Sequence, residues 1–201
     1  MRFVLASASP ARLATLRAAG VDPEVVVSGV DESVVTAADT GSLVAALADL
    51  KARAVADTID DAAIVLGCDS MLDLDGVALG KPGSPEAAAE RWQAMRGRTG
   101  TLWTGHCLLD LERDASVVTA EATNVAFADV TDDEIARYTA TGEPSPVAGA
   151  FTLDGLGGWF VERVTGDPHN VVGVSLPRLR RMLGELGRDL TDVGWPGRER
   201  R

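Results

Sequence analysis

The sequence predicts an α/β protein whose sheet has both parallel and antiparallel parts, arranged as two lobes around a cleft. Three observations lead there. Short apolar runs of strand character alternate with capped helical segments through the first hundred residues. Two longer strand-like stretches, 99–110 and 116–128, flank the polar turn Glu112-Arg113-Asp114 and read as an antiparallel pair. The composition, 46% hydrophobic and 24% charged, is that of an ordinary globular chain with enough apolar material for a core.

Taken in order, residues 2–6 read as a buried strand. Ser9 as N-cap, Pro10 at the first helical position and Gly20 as a stop delimit a helix over about 10–19. Val25-Val26-Val27 is a short strand, and Asp31-Glu32 falls in the loop after it. Leu43, Leu47, Leu50 and Ala54 recur at helical spacing and predict a helix over about 40–57. The apolar run Ile64 to Cys68 predicts a strand ending at Asp69, and Asp73 to Gly76 a hairpin turn. A helix opens at Ser84-Pro85-Glu86 and runs to about Met95. Thr131 to Glu134 is a capping box for a helix to about Thr139. Phe160–Val164 reads as a strand and Ser175 to about Leu186 as the last helix. This gives one domain over 1–187, followed by a polar, flexible tail over 188–201.

The formal net charge of −11 argues against a partner that is a nucleic acid polymer, which calls for a basic face. A small anionic substrate remains compatible, because a few local cations and a divalent metal suffice for one phosphate chain. Cys68 and Cys107 lie in apolar stretches and read as small buried hydrophobes; one disulfide between them is allowed, a secreted framework is not. His106 and His169 are isolated, against a structural zinc site. The N-terminal apolar run is too short for a signal peptide, and no stretch approaches the ~20 residues that span a bilayer, so a cytoplasmic location is expected.

Three places can carry chemistry. Ser7-Ala8-Ser9-Pro10 leads from a strand into a helix with Arg12 in its first turn. Two hydroxyls, a guanidinium and the positive end of the helix suit phosphate, although an ordinary N-cap with a solvated arginine has the same appearance. Asp31, Glu32 and Asp69 can supply two carboxylates from separate segments to Mg²⁺ or Mn²⁺, one of them also able to deprotonate water. Surface acids are the plain alternative for Asp31, whereas an unpaired Asp69 beside Leu66 and Cys68 would be costly. Gly80-Lys81-Pro82 lacks the spacing of a P-loop, but Lys81, like Lys51 on an otherwise apolar helix face, can act as a point charge for phosphate. Asp73-Leu74-Asp75-Gly76-Val77 looks like the nucleophile motif of haloacid-dehalogenase-type phosphatases, yet the Asp-Gly pair is better explained by the hairpin.

In this order the pieces resemble the Maf family of nucleotide pyrophosphatases. The resemblance rests on Leu5-Ala6-Ser7-Ala8-Ser9-Pro10-Ala11-Arg12, Val30-Asp31-Glu32, Leu50-Lys51-Ala52, Gly67-Cys68-Asp69-Ser70, Leu79-Gly80-Lys81-Pro82, Thr141-Gly142-Glu143-Pro144 and Gly166 to Gly173, and covers about residues 3–186. It implies an elongated fold like that of inosine triphosphate pyrophosphatases, a cleft between two lobes, and a homodimer. The implied activity is metal-dependent cleavage of a nucleoside triphosphate into the monophosphate and pyrophosphate. Asp69 is the implied general base and shares the metal with Glu32, while Ser7, Ser9, Arg12, Lys51 and Lys81 hold the triphosphate.

The chain departs from the family pattern at Ala11, Gly100 and Pro146-Val147, and at Asp154, where a glutamine is usual. An ionised aspartate only accepts hydrogen bonds, so Asp154 is expected to bias the base preference toward donor-rich bases. The alternative reading is a nucleotide-binding regulator of cell division with little turnover, for which a general base has no use.

Overall fold

Phe3 to Ala6 are apolar and fully enclosed, as a strand covered on both faces must be. In the computed structural model, which describes residues 1–196, this strand β1 (Arg2–Ala6) pairs in parallel with β2 (Glu24–Val25) and with β3 (Ala63–Leu74). β3 then pairs antiparallel with β5 (Thr99–Asp110), β5 with β6 (Ala115–Phe127), and β6 with β7 (Val161–Thr165). The sheet order is β2-β1-β3-β5-β6-β7, and a seventh strand, β4 (Val77–Leu79), folds back onto β3. Asp75 and Gly76 both take positive φ in that hairpin, the requirement that favours Asp-Gly there.

The helices are α1 (Pro10–Ala18), α2 (Thr40–Ala56), α3 (Pro85–Met95), α4 (Asp132–Ala140), α5 (Pro168–Val172) and α6 (Leu176–Glu185). Each begins at a side-chain cap: Ser9, Asp39, Ser84, Thr131 with its Glu134 capping box, Asp167 and Ser175. α2 crosses one face of the sheet over Val65 and Cys107. The opposite face carries two separate apolar clusters. Leu16, Ile64, Leu66, Leu179 and Met182 form one, under α1 and α6; Leu72, Trp92, Phe127, Ile135 and Phe151 form the other, under α3 and α4.

Three expectations need correction. β3 does not end at Asp69 but runs on to Leu74, because its pairing with β5 continues to Asp73 opposite Thr101. β2 stops at Val25, and Val27 is exposed. Cys68 and Cys107 are the buried small side chains expected of them, free thiols one register step apart, Cys68 opposite His106 and Cys107 opposite Gly67, so they point to opposite faces. Burial pushes the Cys68 thiol up to about 11. The segment after residue 187, expected to be loose, packs through residue 195. Arg188 reaches Asp110 at 2.7 Å, and Val193 is buried in the α1–α6 cluster on a short 3₁₀ turn, Leu190–Val193. Positions 197–201 of that segment lie outside the described residues. No helix among the described residues is long and apolar enough to cross a membrane.

Candidate active site

β3 is flanked on one edge by two different strands. β1 covers Ala63–Gly67 and β4 covers Leu72–Leu74, so Cys68, Asp69, Ser70 and Met71 have no strand partner on that side. The chain leaves β1 at this opening, through Ser7-Ala8-Ser9, to start α1. Alternation along β3 places Asp69 on the α2 face with Gly67, and Ser70 on the α1 face with Cys68.

On the α2 face two glycines allow an unusually close helix. A Cβ on Gly67 would lie 2.2 Å from the Ala48 carbonyl oxygen, and one on Gly105, the residue paired with Asp69, 2.0 Å from that of Val44. Lys51 follows Ala48 on α2, and its side chain reaches back toward the helix start, as helical side chains do. Its Nζ donates to Asp69 Oδ1 at 2.5 Å and lies 2.8 Å from Glu32 Oε1. Lys51 and Asp69 are 9% and 7% exposed, whereas the Glu32 side chain, at the start of a 3₁₀ turn capped by Asp31, is about half exposed. Two carboxylates from distant segments thus share one ammonium.

The other side of the opening belongs to Arg12. Its Nη1 donates to Ser7 Oγ at 2.9 Å and to the Cys68 carbonyl at 3.0 Å, the latter a group that strand pairing leaves free. Nη2 donates to Ser70 Oγ at 2.9 Å and Nε to the Gly173 carbonyl at 2.8 Å. Four of the five guanidinium hydrogens are therefore committed inside the protein. Ser70 Oγ meets Thr104 Oγ1 at 2.9 Å, Thr104 donates to the Asn170 carbonyl at 2.8 Å, and buried Asn170 donates to Leu102 and Glu121 carbonyls. Gly173 sits at φ 117°, and a Cβ there would crowd Arg12 Nε at 3.0 Å. Next to this network, His106 is wholly buried with Nε2 accepting from the Ser175 N–H at 2.9 Å; burial and then the Arg12 charge lower its pKa to about 3.

The remaining expected residues are placed as follows. Ser9 Oγ accepts from Arg12 N at 3.4 Å as the α1 cap, and its own N–H donates to Ser7 Oγ. Lys81 is exposed on the loop after β4 and forms no hydrogen bond or ion pair among the described residues. That loop is tied down by Gly149 N–H to Gly80 and Gly83 N–H to Ser145. Asp154 is exposed, and among the described residues no hydrogen bond or ion pair joins it to Asp69. Its loop is organised instead by Glu143, which accepts from Tyr138 Oη, Thr152 Oγ1 and the Leu156 and Gly157 N–H groups. Asp73 is occupied by the Gly76 N–H and by Thr40 Oγ1, as a turn-forming aspartate should be. Sequence reasoning missed Ser70, Thr104, Asn170 and Gly173, although each lies within or beside a stretch already singled out.

Among the described residues there is no cluster of three or more His, Cys, Asp or Glu able to hold a metal alone. Glu32 and Asp69 are nonetheless a hard oxygen pair already converging on one cation. That suits Mg²⁺ or Mn²⁺, which complete their shells with water and phosphate oxygens.

Known proteins resemble the chain along nearly its whole length. A family model described as Maf-like protein matches residues 2–186. A nucleoside triphosphate pyrophosphatase of Streptomyces coelicolor is 54% identical over 199 residues, covering 98% of this chain and 97% of its own. One from Thermosynechococcus vestitus is 54% identical over 191 residues, covering 95% and 96%. Among solved structures, the Ham1 protein of Staphylococcus aureus superposes with a TM-score of 0.44 at 20% identity, over 64% of this chain and 73% of that one.

Proposed function

The chain belongs to the Maf-like protein family, and from that premise we propose that it hydrolyses a nucleoside triphosphate to the monophosphate and pyrophosphate with Mg²⁺ or Mn²⁺ as cofactor. The observation that carries the proposal is the convergence of Asp69, Lys51 and Glu32 from three distant segments at the one uncovered stretch of β3. The names of relatives matched end to end support the same reaction.

Glu32 and Asp69 would hold the divalent ion, whose charge offsets the phosphoryl oxygens when it is bound. Asp69 takes the proton of the attacking water on its free carboxylate oxygen. Lys51 and Lys81 supply cationic charge to the triphosphate and the pyrophosphate leaving group. The α1 N-terminus with Ser7 and Ser9 receives phosphate oxygens. Arg12 fixes that end of the site by tying Ser7, Cys68, Ser70 and Gly173 together. Asp154 tunes base preference, and the family resemblance extends the reading to a cytoplasmic homodimer.

The test is a panel of nucleoside triphosphates with Mg²⁺ or Mn²⁺, with pyrophosphate and orthophosphate measured separately beside an Asp69→Asn control. Pyrophosphate release that disappears in the control is the expected result. Binding without any release would replace the enzyme by a nucleotide-binding regulator. An unchanged ranking of bases in Asp154→Gln would remove Asp154 from specificity.

A further inference from the structure

We propose that Lys51 holds the Glu32–Asp69 pair closed against a divalent cation, and that a triphosphate opens it by drawing the ammonium away. This rests on the reading of the site given above and adds an order of binding to it. The ammonium lies 2.8 Å from one carboxylate and 2.5 Å from the other, so it occupies the two groups that would hold the metal. Two like charges cannot share it, so the metal and the ammonium compete.

The competition is built into the fold. Gly67 on β3 and Gly105 on β5 bring the α2 backbone down onto the sheet, with no room for even a Cβ at either glycine, so Lys51 cannot be relieved by a shift of its helix. It can leave only by side-chain rotation, and it is nearly enclosed. Among the described residues its only ion-pair partners are Glu32 and Asp69, so moving without a new anion would strand a buried charge. A triphosphate is such an anion. It takes the ammonium and leaves two carboxylates for the metal, so nucleotide and metal bind with positive coupling.

The experiment is Mn²⁺ binding to the full chain without nucleotide, read as free Mn²⁺ by electron paramagnetic resonance and as the Mn²⁺-induced shift in melting temperature. Lys51→Met and Lys51→Gln keep most of the length of the side chain, one atom short, and remove its charge. Both are expected to bind Mn²⁺ at least ~10-fold more tightly than the unaltered protein, about 1.4 kcal/mol, and to show the larger melting shift. Adding Glu32→Gln to Lys51→Met should remove the gain. Equal or weaker Mn²⁺ binding by both Lys51 variants, with the fold retained by circular dichroism, would overturn the proposal. So would a gain that survives Glu32→Gln, because it would place the ion elsewhere. Pyrophosphate release by the unaltered protein is measured in parallel. If release occurs but the Lys51 variants gain no Mn²⁺ affinity, the gating idea fails and the activity stands. If the affinity rises but no nucleotide is cleaved, the gate stands and the activity fails.

Discussion

Replacing Gly67 by alanine tests whether the close approach of α2 to the sheet is what builds the site. The added methyl would lie 2.2 Å from the Ala48 carbonyl oxygen and 2.9 Å from Ala52 Cβ, both fixed parts of a long helix. Reaching an ordinary contact of 3.4 Å requires a displacement of 1.2 Å. Gly67 has no left-handed backbone, so the cost is purely steric. Overpacking of this kind costs about 1–3 kcal/mol, and α2 cannot lift without loosening Val44, Leu47, Ala48, Ala52 and Val55, all buried. Stability should fall by about 3 kcal/mol, the upper end of that range. Lys51 would be carried away from Asp69, and misplacement of this size costs roughly 10²-fold in rate. Urea unfolding and pyrophosphate release measure the two effects. Gly184→Ala, on α6 with nothing within 4 Å of the added carbon, is the control; it should gain roughly 0.5–1 kcal/mol from helix propensity. A Gly67→Ala protein with unchanged urea midpoint and turnover would refute the idea that helix proximity sets the Lys51–Asp69 pair.

Arg12→Lys keeps the charge but cannot span four acceptors, so it should lose about 2–3 kcal/mol of stability and lower kcat more than it raises KM; a pure rise in KM would restore Arg12 as a direct phosphate ligand. His106 titrates near 6.5 in the unfolded chain and at about 3 when folded. The unfolded state therefore binds the extra proton in that interval, and stability drops as pH falls from about 6.5 toward 3. His106→Gln should flatten this slope by about 1.4 kcal/mol per pH unit, read from urea midpoints across the interval; an unchanged slope would mean that His106 does not stay neutral. Arg188→Ala leaves Asp110, 1% exposed, without its main cation, at a cost of about 3 kcal/mol, and should open the segment around residues 188–195 to limited proteolysis.

Asp69 and Lys51 stand out in the sequence for a simple reason. Each is a charge set among apolar neighbours on a regular element, and such a charge needs a partner. The caps and the Asp-Gly hairpin were equally plain, because each local motif satisfies its own backbone groups. What the sequence hid was long-range. Nothing local reveals that Arg12, expected beside the phosphates, also has partners at 68, 70 and 173 that make it an internal brace. The second half of β3 was missed because Asp69, Ser70 and Asp73 interrupt the apolar run, although Leu72 and Leu74 keep the period of two on the buried face. The polar composition after residue 187 masked Val193 and the Arg188–Asp110 pair, whose stabilisation depends on a strand nearly eighty residues earlier.

The burial of Val193 in one cluster with Phe3, Leu16 and Val21 has a consequence for the chain during its synthesis. The cluster under α3 and α4 draws on residues 72 to 151 and peripherally on Phe160, Val161 and Val171, so its residues are all made before Val193. The cluster containing β1 closes later, since it needs α6 and Val193. At 5–20 residues per second, the interval between residues 171 and 193 is roughly one to four seconds. During that time the already translated segment with Ser7 and Arg12 has no complete partner surface, and chaperone capture or protease attack should concentrate there rather than on the half that closes first.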